Sequence, residues 1–530
     1  MIDETVERRQ RTGEFYTPLE YARLGLQYLQ RVVDVRSDRI RLWDMAAGTG
    51  NLERVLPPDM LSRCYISTLL DDDADHCRAL FPSATVFQYD YLNDDDQKLP
   101  STLVNDLNAP TVEWIIFINP PYAMANNFER RADRIDKSSV SMTRVRELMS
   151  ADGLGEVSRE LYAQFLYRID REFKGRRATL AMFSKLNYIS STNDRRLRDR
   201  FFDYEFKGGF LFSSERFRLT SGRFPISFAV WALNRRLPLT DQELKFDVLD
   251  ERLNVIGVKR VMSAPRTELL SNWIERPPCT KKFPPMSSAL KVGSLNKDRR
   301  DRIAEGFLAS LMCNGNDFTH QIKTALLSGP YASAGGMSIT PSNFERAMVV
   351  HAVRHLERAT WLNDKDQFFR PTAPLPTEFV NDCVVWSLFA PSNCTTALAN
   401  VEYEGELYQL KNNFFPFIIS ELTNNFSACR SEERFAALWF KKNFLSTDAD
   451  NVLTEAKKIY RLFYSRWDEL DRKKFFIETW DAGWYQVRMS LKAAGLLDDK
   501  TFRAEHERLR LKLLPMIYEL GFLRSAFDCV

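Results

Sequence analysis

The chain has no uninterrupted apolar run of about 18 residues, the length a helix needs to cross a bilayer. Its first ten residues, MIDETVERRQ, are charged where a secretory leader would be apolar. Eight cysteines fall in no paired spacing, and a chain of 530 residues builds a core without disulfides. These absences predict cytoplasmic residence with reduced thiols and no membrane partner. Histidine is scarce at five. His351 and His355 stand at helical spacing, but the intervening Ala-Val-Arg lacks the glutamate of a zinc protease, so no metal site is expected. Neither the G-x-G-x-x-G dinucleotide fingerprint nor the G-x-x-x-x-G-K-[ST] phosphate loop occurs, and there is no internal repeat or low-complexity segment.

What remains is ordinary globular composition, 44% hydrophobic and 27% charged, at a length that implies two or three domains. Lys+Arg 74 against Asp+Glu 71 nearly cancel, to +3, but the charges are unevenly spread. Acidic spots lie at Asp71 to Asp73 and Asp94 to Asp96. One basic cluster holds Arg195, Arg196, Arg198, Arg200, Lys207, Arg216, Arg218 and Arg223, and a second holds Lys281, Lys282, Lys291, Lys297, Arg299, Arg300 and Arg302. Each is either a phosphate-facing surface or a set of solvated helix faces.

Up to about residue 240 short apolar runs alternate with helical spacing. RIRLWDMA, CYISTLL, ATVFQYDYL, WIIFINP, ATLAMFSKLNYI and PISFAVWAL read as strands, and LEYARLGLQYLQRVV and LYAQFLYRIDREF as helices. The pattern predicts an α/β fold with a Rossmann-like, largely parallel sheet whose ligands sit at the strands' C-terminal ends. After 240 the rhythm changes. A Pro-rich basic stretch, APRTELLSNWIERPPCTKKFPP, is expected to join structural units, and 430 to 530 is rich in amphipathic helix patterns. The expected division is 1–240 and 241–530, the second part α+β or mostly α.

Asp44-Met45-Ala46-Ala47-Gly48-Thr49-Gly50-Asn51 follows the first strand. Small residues there let backbone approach a ligand, and the next helix start offers N–H donors. At the next strand end, LLDDDAD places Asp71 first, and Asp72 second, to accept from ribose hydroxyls; the alternative is an acidic helix start stabilised by the helix dipole. Asp90 and Tyr91 end the third strand, where a carboxylate suits a nucleoside's amino group. Asn119-Pro120-Pro121-Tyr122 closes the strand WIIFI. The prolines stiffen that turn. The Asn119 side-chain oxygen and the Pro120 carbonyl offer two acceptors, and Tyr122 a flat ring. Together they fit an exocyclic amino group on a planar base, whose lone pair becomes available when both N–H groups are held.

These motifs resemble those of S-adenosylmethionine-dependent DNA amino-methyltransferases of the N6-adenine type. In that family NPPY is the catalytic motif and a DxAAGTG-like turn binds the methionine moiety. Thr12-Gly13-Glu14-Phe15-Tyr16-Thr17-Pro18 resembles the family's cofactor segment in its gamma arrangement, where a target-recognition region follows the catalytic part. Read from the residues alone, that segment is a helix start capped by Thr17 with Pro18 at the first position. Over residues 10 to 235 the resemblance implies S-adenosylmethionine as cofactor, held by Tyr16, Thr17, Pro18, Asp44, Ala46, Gly48, Gly50, Asp71, Asp90, Tyr91 and Asn119. It implies catalysis by Asn119, Pro120, Pro121 and Tyr122, and a flipped target base against Tyr122 and Phe224, the latter otherwise a core residue. It further implies double-stranded DNA as substrate, a separate restriction nuclease or defence-complex subunit as partner, and a bacterial, nucleoid-associated location. Cytosine N4, RNA adenine, a protein glutamine, or a non-catalytic DNA-binding subunit remain the alternatives. Pro278-Cys279 lies in the Pro-rich connector, far from the glycine turn, and reads as a loop cysteine.

Overall fold

The computed structural model describes residues 17–122, 142–217, 223–293, 301–332, 336–426, 432–524 and 527–529. Two compact units emerge, one of Met1–Pro265, Thr360–Asp366 and Ser525–Val530, the other of Arg266–Ala359 and Gln367–Arg524.

The first unit is built on strands β1 (Ile40–Asp44), β2 (Cys64–Thr68), β3 (Thr85–Gln88), β4 (Glu113–Ile118), β5 (Ala178–Lys185), β6 (Tyr204–Ser213), β7 (Pro225–Arg236), β8 (Leu244–Leu249) and β9 (Val255–Val261). A short strand, Phe527–Cys529, pairs antiparallel with β9. From that edge the sheet runs β9-β8-β6-β7-β5-β4-β1-β2-β3. The β3-β2-β1-β4-β5 portion is parallel, and β7 inserts antiparallel between β5 and β6. Because β1 lies between β2 and β4, the direction in which strands are laid down reverses there, and a crevice opens beyond the C-terminal ends of β1 and β4.

Alternation along β4 explains why this strand is apolar throughout. Ile115 and Phe117 join one core with Tyr21, Leu29, Phe183 and Phe228, while Trp114, Ile116 and Ile118 join the opposite core with Trp43, Tyr162 and Phe173. Helix α1 (Leu19–Gln30) buries Tyr21, Ala22, Gly25, Leu26, Tyr28 and Leu29 on the first face. Gly25 permits this approach, since a Cβ there would stand 3.1 Å from the Phe228 ring. Helices α2 (Asp71–Leu80) and α3 (Leu161–Phe173) flank the crevice.

The expected boundary at 240 falls between β7 and β8 of one continuous sheet, and the unit's first segment ends at Pro265, inside the Pro-rich stretch. Short β8, half-alternating as LKFDVL, follows the polar end of β7 after a brief turn at Leu239–Asp241, which hides its membership from pattern reading.

The second unit has a four-stranded sheet ordered β12-β10-β11-β13, with β10 (Ala309–Cys313), β11 (Thr324–Leu327), β12 (Gly336–Ile339) and β13 (Asn393–Cys394). Its core is dominated by helices α4 (Phe344–Leu356), α5 (Thr377–Leu388), α6 (Thr447–Ser465) and α7 (Lys500–Glu519). The expected helical C-terminal region is therefore present, and the region is α+β. Among the described residues no helix is long and apolar enough to cross a membrane.

Candidate functional site

At the end of β1 the Asp44 side chain is fully buried, and one carboxylate oxygen accepts the Ala46 N–H at 2.7 Å. Its other oxygen and the carboxyl of buried Glu53 find no donor on a neighbouring side chain among the described residues, and the two carboxyls stand within hydrogen-bonding reach of each other, where one shared proton joins them. Burial, then the charge of Glu53, holds the Asp44 carboxyl well above the usual carboxylate range. Burial pushes Glu53 up to about 7. Two acids withdrawn from water beside each other create a local demand for a cation or a proton. The turn that bends away from them relies on Gly48 (φ 52°) and Gly50 (φ 77°). A Cβ on Gly50 would also stand 2.4 Å from the Phe81 ring.

At the end of β2 the acids of LLDDDAD open a helix. Asp71 and Asp72 open α2 exposed to solvent, and it is Asp73, with Leu69 and Leu70, that borders the crevice. The helix begins at Asp71, so each successive residue turns about 100°, and the third acid faces inward.

Asp90 also borders the crevice. It accepts from the Leu92 N–H at 3.0 Å and from the Asn93 amide at 2.7 Å. Tyr91 is buried, its ring stacked on Phe165 (centroids 5.1 Å) and its hydroxyl donating to Glu172 at 2.7 Å. Arg168 of α3, which the pattern reading missed, staples this loop. Its guanidinium donates to the Tyr91 carbonyl, to the Asp94 carbonyl at 2.9 Å and to the Tyr89 hydroxyl, and pairs with Glu172 at 2.6 Å.

The Asn119-Pro120-Pro121-Tyr122 corner follows β4. Asn119 donates its amide N–H to the Thr17 hydroxyl at 2.9 Å and accepts the Tyr122 hydroxyl at 2.7 Å. Thr17 therefore does not cap α1. Pro18 is the residue before that helix and no side-chain cap is made. The Thr17 carbonyl instead accepts from Asn51 of the glycine turn at 3.1 Å, so Thr17 ties the corner to the turn. Tyr16 lies outside the described residues. Tyr122 is buried rather than an open platform, packed edge-on to Phe217 (centroids 6.0 Å). Burial raises its hydroxyl well above the ordinary phenol. Phe224 is half-buried at the rim of the α1-side core, its backbone pinned in both directions by Ser214.

These elements enclose a cavity of about 280 Å³ whose lining includes Thr17, Asp44, Ala46, Gly48, Asp73, Asp90, Tyr91, Asn119 and Pro121. Pro18, Gly50, Asp71, Pro120, Tyr122 and Phe224 lie outside that lining. Leu161, Phe165 and Thr143 complete it from the other side. Apolar walls with a few convergent acids suit a ligand that is part flat ring, part cation.

The 195 to 223 basic cluster is largely spent inside the protein. Lys207 pairs with Glu205 (2.8 Å), Arg216 with Glu251 (2.9 Å) and Arg223 with Glu215 (2.5 Å), while Arg195 lies 3.8 Å from Asp199. Arg196 and Arg200 donate to backbone carbonyls, and Arg198 is buried. Asp199, Glu205 and Glu215 lie within the same stretch and Glu251 beyond it, so counting only the basic residues overstated the free charge. Arg218 lies outside the described residues, as do Lys297, Arg299 and Arg300 of the second cluster, in which Lys281 pairs with Glu305 at 2.6 Å. His351 and His355 are core residues whose rings bond to Ser387, Ser392 and the Thr324 carbonyl. Cys279 is an exposed cysteine of the Pro-rich connector.

No family model and no curated protein matches the sequence. Among solved structures, the chain is similar to one described as a DrdV–DNA complex, at 15% identity over 47% of this chain and 28% of that one, TM-score 0.34. It is similar to the ATP-dependent type ISP restriction-modification enzyme LlaBIII bound to DNA, at 9% identity over 44% and 19%, TM-score 0.32. A third is the type I restriction-modification methyltransferase subunit from Streptococcus thermophilus, at 15% identity over 48% and 51%, TM-score 0.30. The chain thus spans less than a third of the first two and about half of the third.

Proposed function

We propose that this chain is an S-adenosylmethionine-dependent DNA methyltransferase that modifies the N6 amino group of adenine in duplex DNA. The observation that carries the reading is a convergence. Asp44, Asp90, and Asn119 of the NPPY corner come from the ends of three different strands and border one cavity. Ionised, the Asp44 carboxyl suits a ligand bearing an ammonium and a sulfonium. Asp44 and the Ala46–Gly48 backbone would hold its methionine end, Asp73 its ribose hydroxyls, and Asp90 with Tyr91 its adenine end. When bound, this group supplies an electrophilic methyl.

The chain's own residues then have three tasks. Asn119 and the Pro120 carbonyl accept from the substrate's amino group and hold its lone pair toward the donor. For that, the Asn119 oxygen must exchange the Tyr122 hydroxyl, which it accepts at 2.7 Å, for the incoming N–H. Thr17 keeps the amide in register by taking the other side of Asn119. The amino proton leaves after attack, to solvent or a nearby carbonyl. Extrusion of the base from the duplex costs a few kcal/mol, and stacking on aromatic rings offsets part of it. Target-sequence readout and much of the phosphate contact fall to the second unit, and a separate restriction nuclease or defence-complex subunit would complete a system.

Asn119→Ala tests the corner. The expected result is near-complete loss of methyl transfer to duplex DNA with donor affinity, by calorimetry, within a few-fold of wild type. Normal turnover in the variant refutes the mechanism. Transfer to RNA or to a release-factor glutamine in place of DNA moves the assignment to that substrate.

A further inference from the structure

A second cavity, of about 560 Å³, lies between the helix Ser101–Asn108, the helix Arg144–Ala151 and α3, and shares no lining residue with the one at the strand ends. Its size is that of a small-molecule site. Part of its wall is apolar, from Leu99, Val104, Leu107, Val145 and Leu148, the last of them 40% exposed. The rest carries four guanidinium groups, of Arg144, Arg168, Arg171 and Arg176, against two carboxylates, of Asp96 and Glu172. Both carboxylates pair with the same arginine, since Glu172 lies 2.6 Å and Asp96 3.4 Å from Arg168. The other three keep their charge. Arg176 donates to the Glu172 and Leu107 carbonyls, which fix it without neutralising it. Arg171 donates to the Tyr167 hydroxyl at 2.7 Å and reaches Asp152, outside the lining, only at 3.4 Å, its side chain half exposed. The Arg144 side chain meets no acceptor and no carboxylate among the described residues. Three like charges gathered on one cavity repel each other, and no carboxylate of the lining offsets them.

We propose that this cavity binds a small phosphate monoester carrying a flat or apolar body, the class to which nucleotides belong. The planar guanidinium fork matches phosphate oxygens in pairs. Four guanidiniums less two carboxylates leave the lining two positive charges, and a monoester carries about two negative ones near neutral pH. Arg144 and Arg171 supply the free donors, with the unused Nη of Arg176 behind them, and the leucine and valine wall covers the body of the ligand. A nucleic-acid backbone is a weaker match, because its diesters carry one charge each on a polar sugar chain that has no use for an apolar wall. Binding here requires no methyltransferase activity of the chain, since the cavity is separate from the one to which that activity is assigned.

Calorimetric titration of the full chain at low salt, with uridine monophosphate, phenyl phosphate, inorganic phosphate and uridine, tests the site. Both monoesters should bind, and inorganic phosphate and uridine should each bind about tenfold more weakly or worse, because each lacks one half of the match. Arg144→Gln and Arg171→Gln should each weaken both monoesters about tenfold, the loss expected of a charge-assisted hydrogen bond. Leu148→Glu should do the same by setting a carboxylate beside the phosphate. Asp73→Asn, on the cavity at the strand ends, should change nothing. Should an arginine variant fail to fold, Leu148→Glu at its exposed position decides. Absence of binding by either monoester overturns the proposal, and so does binding that the Arg144, Arg171 and Leu148 variants leave intact. Monoester binding lost in Asp73→Asn moves the ligand to the other cavity and equally overturns it. If neither monoester binds while duplex DNA binds the two arginine variants more weakly than wild type, the cavity faces nucleic-acid backbone and the proposal fails.

Discussion

At the scale of single residues, the least expected feature is the buried pair Asp44 and Glu53. Both carboxyls are held above their ordinary range, Glu53 at about 7. The charged form of Glu53 therefore grows in as pH rises through neutrality, and a negative charge beside Asp44 favours a cationic donor. The affinity for S-adenosylmethionine should tighten several-fold between about pH 6 and pH 8, and Glu53→Gln should flatten that slope in calorimetric titrations. Stability runs the other way. A carboxyl whose folded value lies above its unfolded value keeps its contribution below the unfolded value, near 4.5, and loses it as pH rises toward 7. Glu53→Gln should thus melt at a higher temperature than wild type at about pH 8, and an unchanged or lower melting temperature contradicts the assignment of a costly buried acid.

At the scale of elements, the loop after β3 depends on a helix that reaches it from far along the chain. Arg168→Met removes donors from the carbonyls of Tyr91 and Asp94 and from the Tyr89 hydroxyl, and leaves Glu172 without its cation. Donor affinity should fall about tenfold or more, in line with lost charge-assisted hydrogen bonds, while kcat at saturating donor changes little. Equal donor affinity in a folded variant contradicts a positioning role for Arg168.

The same element shows what was legible in the sequence. Strands β1 and β4 and the turns that end them were legible, because a strand buried on both faces must be apolar throughout and must stop where backbone turns toward a ligand. Asp44 and Asn119 stand where that rule puts them, while Asp90 follows β3, a half-buried edge strand. Glu53 and Arg168 do not follow from it, since each takes its place from a partner brought near only by the folded sheet: Asp44 and Tyr91. Asp73 borders the crevice where Asp71 is expected, because the rotation of a helix start is set by its first residue, which pattern reading locates only to within a residue or two. Tyr122 was expected open, and its burial arises from packing against Phe217, a contact across almost a hundred positions.

At the scale of the whole molecule, the two units should respond differently to acid. The second unit buries His351, His355 and His506 around Trp386, each hydrogen-bonded as a neutral ring. Burial lowers His355 and His506 to about 4, and His351 well below its ordinary 6.5. Groups with folded values so depressed favour folding above the unfolded value and lose that contribution as pH falls from about 6.5 toward 4. Thermal unfolding followed by hydrogen exchange should show the second unit losing protection first as pH drops through this window. Simultaneous loss in both units, or loss in the first alone, contradicts the prediction.

The most direct measurement is nucleoside mass spectrometry of duplex DNA incubated with the purified chain and S-adenosylmethionine bearing a labelled methyl. The account predicts label in N6-methyladenine, absent with Asn119→Ala. A wild-type chain that binds the donor yet leaves adenine unlabelled on every duplex contradicts it.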